Sequence, residues 1–228
     1  MLVGILSSTI LWEHHEDMET QAQARATANL AQSLDINARL PHQVFTRRYS
    51  VVYAFDPLLL IDRRAVELFK ILIKQEGASV AVLGRFDRPK KESPDWRSDL
   101  FLISASTEAG DYMSFLTRYS AEYGHGSATP DMQEPWRIFA ERIGACSDLG
   151  TWCVYGEKYM EIGLLVCDIG LTTQLEEKLY SEFRVERLAN ALKRDTFFGE
   201  PGNEYSKQQR AILRSAYLET LDEGRRNP

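Results

Sequence analysis

The chain has 228 residues, 44% of them hydrophobic, 11% aromatic and 26% charged, with a formal net charge of −6. This length holds one large domain or two small ones with a proper core, and the aromatic content excludes a disordered chain. The acidic balance argues against a nucleic-acid binder, which needs clustered Lys and Arg, and fits either plain solubility or a basic protein partner.

Met1–Trp12 is apolar, begins without a basic stretch and runs into the acidic Glu13–Asp17. It is shorter than the ~20 residues that span a bilayer. It also lacks the layout of a secretory signal, so a cytoplasmic location is expected. A run this short reads equally as strand or helix. His14 and His15 beside Glu13, Glu16 and Asp17 read as a solvated charged turn rather than a metal site, since no third ligand is fixed by spacing. Glu16–Leu34 is rich in helix formers, with Ala24, Ala28, Ala31, Leu30 and Leu34 as its apolar stripe and Leu40-Pro41 beyond its end.

Gln43–Phe55 reads as a strand interrupted at Arg47 and Arg48. Asp56-Pro57 is an N-cap followed by a first-turn proline, predicting a helix to about Gln75 that stops at Gly77. Ser79–Leu83 and Leu100–Ile103 are short strands on either side of a Pro-containing loop. Thr107–Tyr123 is helical, with Tyr112, Phe115, Leu116 and Tyr119 on one side. Asp131 with Glu134 opens a further helix carrying Trp136, Ile138, Phe139 and Ile143.

Thr151–Asp168 is the strongest local signal: a β-hairpin with its turn at Gly156-Glu157-Lys158. In its second arm Ile162, Leu164 and Val166 alternate with Gly163, Leu165 and Cys167. Both faces are apolar, which predicts a strand covered on both sides at the centre of a sheet. Thr173 with Glu176, and Ser206 with Gln209, are capping boxes for two C-terminal helices parted by a Gly/Pro break. Basic and acidic residues balance in this region, and the break is too long for a helix-turn-helix. The fold expected is a single α+β domain over residues 1–228. It has a central, mainly antiparallel sheet, flanking helices and a mostly helical subregion over 170–228.

No phosphate-binding, zincin or hydrolase motif is present in the sequence. His42 or His125 paired with a carboxylate would be the residues of an enzyme reading. Cys146, Cys153 and Cys167 read as buried reduced thiols, with a Cys153–Cys167 bridge across the hairpin left open. No catalytic residue, metal or cofactor is assigned.

The run Asp148-Leu149-Gly150-Thr151-Trp152-Cys153-Val154-Tyr155-Gly156-Glu157, continuing Tyr159-Met160-Glu161-Ile162-Gly163, resembles a hairpin pattern, W-x-x-Y-G-(E/D/R)-x-x-x-E-(I/L), of bacterial immunity proteins. Trp96-Arg97-Ser98-Asp99 and the segment bearing Trp136 are similar in flavour. The whole chain is similar in length, acidity and element order to cytosolic immunity proteins of type VI secretion nuclease toxins, the TsiT kind. The resemblance implies a non-catalytic inhibitor that binds a cognate toxin, with no nucleic-acid or membrane partner. Glu13, Glu16, Asp17, Glu157 and Glu161 would be its acidic contacts, and Trp96 and Tyr123 its anchors. A non-inhibitory secretion adaptor is the remaining alternative, and self-association is left open.

Overall fold

The computed structural model describes residues 4–86, 100–117, 140–194 and 204–219, with side chains described from 18 onward in the first segment and from 207 in the last. Helix α1 (Gly4–Ser33) precedes strand β1 (Val51–Phe55), a 3-10 turn (Pro57–Ile61), helix α2 (Ala65–Glu76) and strands β2 (Val80–Arg85) and β3 (Leu100–Ser104). Helix α3 (Ala109–Thr117) and strands β4 (Arg142–Ser147), β5 (Trp152–Glu157) and β6 (Ile162–Cys167) follow. The chain continues through helix α4 (Thr173–Phe183), strand β7 (Glu186–Arg187) and helix α5 (Leu188–Ala191) to helix α6 (Glu204–Arg214), which ends in a π turn over Ser215–Glu219. No described helix is long and apolar enough to cross a membrane.

The strands form one antiparallel seven-stranded sheet in the order β3-β2-β4-β5-β6-β1-β7, so the expected α+β architecture is present and β5 lies at its centre. Every residue of β5 and β6 is buried. Their period-2 alternation sends Trp152, Val154, Leu165 and Cys167 to one face and Cys153, Tyr155, Leu164 and Val166 to the other. The first face is covered by the 3-10 turn, α2, α3 and α4, through residues such as Leu60, Phe69, Tyr112 and Leu179. The second is covered by α1, the irregular segment 34–50, α5 and α6, through Leu30, Phe45, Leu188 and Leu213.

Local chemistry sets several boundaries. The Asp56 carboxylate accepts the Leu58 N–H with Pro57 next in the chain, but the helix it opens is one 3-10 turn, and α2 starts separately at Ala65. Gly77 closes α2 in the left-handed conformation (φ 75°). Thr172, rather than Thr173, caps α4 by accepting the Leu175 N–H, and the Glu176 carboxylate is engaged by the Tyr53 hydroxyl and Arg187 instead.

Other expectations are corrected. Helix α1 runs unbroken through His14 and His15, so no turn separates the apolar start from the Ala-rich part. Among its described side chains, from 18 onward, the buried ones are Ala22, Ala26, Leu30 and Ser33, while Ala24 and Ala28 face solvent. Of Gln43–Phe55 only Val51–Phe55 is strand. The Val44 N–H instead meets the Tyr217 hydroxyl, which itself donates to the His42 carbonyl. Ile143 lies on β4, not on a helix. The hairpin turn is Lys158–Glu161, with Gly156 inside β5. Cys153 stands opposite Cys146 and on the other face from Cys167, and all three cysteines are free. Tyr119, Trp136 and the Asp131–Glu134 box lie outside the described residues, and α6 begins at Glu204, upstream of Ser206.

Gly163 is fixed by close packing: a Cβ there would sit 2.4 Å from the Phe55 ring. Gly163→Ala is expected to lower the urea-unfolding free energy by about 1–3 kcal/mol. Gly110→Ala, placed in α3 with open space around it, should raise it by up to ~1 kcal/mol. Equal effects of the two would contradict the packing described.

Candidate interaction site at the hairpin tip

The β5–β6 hairpin is held rigid from below. Glu157, the last residue of β5, is 1% exposed. Its carboxylate accepts the Leu40 N–H at 3.1 Å and the Tyr155 hydroxyl at 3.2 Å, and Arg39 Nε lies at 3.5 Å. Arg39 also reaches Glu141 at 3.0 Å. Beside it, buried Arg142 donates to the carbonyls of Ile36, Ala38 and Phe86. These groups tie the 36–40 segment onto the ends of β4 and β5. A carboxylate is buried only when it is compensated this way.

Burial raises the Glu157 carboxyl above its ordinary value of 4.5, against the opposing pull of Arg39, the Leu40 N–H, Tyr155 and Arg142. Burial, with Glu157 alongside, likewise raises the Tyr155 phenol. Glu157 is therefore an internal strut. Its assignment as an acidic partner contact is corrected, because no partner can reach it without dismantling the 36–40 segment.

Above this frame the chain turns through Lys158–Met160 and closes with Glu161 in the left-handed conformation, φ 52° and ψ 26°. The Lys158 N–H donates to the Glu141 carbonyl and the Glu161 N–H to the Lys158 carbonyl. Met160 packs inward, with Gln209 Nε2 at 3.7 Å from its sulfur. Tyr159 points away from the core and is 72% exposed. Leu58, 49% exposed, lines a small cleft with Lys158 and Glu141. The result is an exposed aromatic ring beside Lys158, Glu161 and Glu141 on a buried two-stranded support.

Of the residues singled out from sequence, Glu161 alone is a described, exposed member of this tip. Glu13, Glu16 and Asp17 lie on α1 where side chains are not described, and Trp96, Tyr123 and His125 lie outside the described residues. His42 is exposed and lines neither the small cleft between Phe45 and Tyr217 nor the one between Leu58 and Lys158. Burial pushes the Cys167 thiol up to about 12 and raises Cys153, which faces Cys146, so neither is poised as a thiolate. Among the described residues no cluster of three or more His, Cys, Asp or Glu could hold a metal ion. Tyr159 is not among the residues singled out from sequence; its signal is an aromatic residue next to Lys158 at a strand-to-strand turn.

Comparison with protein-family models, curated proteins and solved structures gives no match to this chain.

The carboxyl shift has a testable sign. Glu157 binds its proton more tightly in the folded than in the unfolded state. Its contribution is thus fully present below about 4.5 and is lost as pH rises through the raised folded value. The unfolding free energy of the wild type relative to Glu157→Gln should therefore fall as pH is raised from 4 to 7 in urea titrations. A difference that grows with pH would mean that Arg39 and the hydrogen bonds outweigh burial.

Proposed function

We propose that the chain is an immunity protein: a cytoplasmic, non-catalytic inhibitor that binds a cognate secreted toxin, a nuclease with a basic substrate groove. The observation that carries this reading is the exposed Tyr159 on the tip of the central hairpin, in the stretch that resembles immunity proteins. Interface energy concentrates in a few aromatic or Arg anchors ringed by polar residues, and Tyr159 with Glu161, Glu141 and Lys158 has that composition. The net charge of −6 favours encounter with a basic surface.

Glu161 adds a second support. A non-glycine residue in the left-handed region costs about 1 kcal/mol, and Gly or Asn would close this turn at less cost. Strain of this kind collects at functional sites. Glu161 places a carboxylate at the tip in this backbone conformation.

Capture of the partner with tagged protein from host lysate, followed by assay of the partner alone and in complex, tests the reading. A toxic nuclease that loses activity when bound supports it; a harmless partner, or a partner fully active in the complex, overturns it. Association should slow as salt is raised.

At the tip, Tyr159→Ala should leave thermal stability unchanged and weaken binding tenfold or more. Glu161→Gly should raise stability by about 0.5–1 kcal/mol while weakening binding. Binding unaffected by both substitutions would remove the tip from the interface.

A further inference from the structure

The two edges of the sheet are built differently. At one end β7 is two residues long, Glu186-Arg187, and both are charged and ion-paired, to Arg194 and Glu176 respectively. Shortness and charge are how natural sheets prevent strand addition. At the other end β3 is Leu100-Phe101-Leu102-Ile103-Ser104, with no charge, proline or glycine. It pairs along its whole length with β2 on one side, Val80 opposite Ser104 through Gly84 opposite Leu100. Among the described residues no strand pairs with its other side.

Both faces of β3 are apolar, and apart from the fully buried Ile103 their side chains are incompletely covered. Phe101 packs against Tyr112 and Phe115, with ring centroids 5.3 and 4.8 Å apart, yet remains half-buried. Leu100 and Leu102 rest against the opposite core and are half-buried as well. An added strand would finish the burial on both faces and satisfy the outward backbone groups.

We infer that β3 pairs with β3 of a second copy of this chain, antiparallel about a two-fold axis through Leu102, joining two sheets edge to edge. The choice of occupant follows from the residues. The strand has no charge to attract a basic partner. Turned on itself about Leu102, it sets Leu102 against Leu102, Phe101 against Ile103 and Leu100 against Ser104. Each apolar face then continues across the junction, as a self-complementary two-fold interface requires. A five-residue strand pair is a small interface, so the dimer forms with rising concentration rather than being permanent. The edge is separated from β5 by β2 and β4, and the inference does not rest on the role of the hairpin tip.

Sedimentation velocity from low to several hundred micromolar protein tests it. The wild type should pass from monomer to dimer, and Leu102→Lys, which sets two lysines face to face on the axis, should stay monomeric with unchanged circular dichroism. Leu102→Cys should give a covalent dimer with oxidised glutathione, since directly opposed residues of antiparallel strands lie about 4.5–5.5 Å apart at Cα, within disulfide reach. This second variant decides the matter if the lysine variant does not fold. A wild type that stays monomeric, a lysine variant that dimerises equally well, or a cysteine variant that does not cross-link where the wild type dimerises would each overturn the pairing. A monomeric wild type that captures another protein only while Leu102 is intact would also overturn it and assign the edge to that protein.

Discussion

Burial of both faces of β5 and β6 dictates what the rest of the chain has to supply. With every residue of the two strands out of solvent, neither face of the sheet can be left open. One layer of helices must cover Trp152, Val154 and Leu165, and another must cover Cys153, Tyr155 and Leu164. Fully burying a large apolar side chain contributes about 1.5–3 kcal/mol before conformational entropy is subtracted, so this hairpin is a major source of stability in the fold. The neighbouring strands β4 and β1 inherit the same two-sided environment. The packing is tight enough that Gly163 has no room for a methyl group beside Phe55.

Polar groups at the strand ends turn that apolar stack into a defined register. Asp148 accepts the N–H groups of Ser79 and Val80 and is reached by Arg25, which holds α1 and β2 at one end of the sheet. Glu157, Tyr155, Arg39 and Arg142 do the same for the 36–40 segment at the other end. Apart from the Tyr155–Glu157 bond within β5, each joins residues more than sixty positions apart in the chain. The tip at Tyr159 rises from this fastened end, so an exposed ring is carried on a support that has little freedom to move.

The elements legible in the sequence were those whose signal is local. Alternation in Ile162–Cys167, the Asp56-Pro57 start and the Gly77 stop each depend on residues within one turn or one strand. What escaped depends on distant partners. Strand β4 is Arg-Ile-Gly-Ala-Cys-Ser, too small and too mixed to announce itself. It is a strand because β2 and β5 flank it and because Arg142 finds carbonyls at Ile36, Ala38 and Phe86. The 43–50 segment has strand composition, but its backbone is partly satisfied by Tyr217, over 170 residues on. Glu157 looked like a turn residue; only the return of Arg39 and Leu40 makes it a buried one. At the candidate site Glu161 is legible as an exposed carboxylate, whereas the exposure of Tyr159 follows from the turn lying at Lys158–Glu161 rather than at Gly156.

Amide hydrogen exchange followed by mass spectrometry, on the free chain and on its complex with the captured partner, tests the claim that a rigid central hairpin presents a binding tip. In the free chain the slowest amides should fall in Trp152–Glu157 and Ile162–Cys167, with the exposed Lys158–Glu161 turn exchanging faster, and the partner should slow that turn most. Rapid exchange in β5 or β6, or partner protection confined to other elements while the turn stays unchanged, would contradict it.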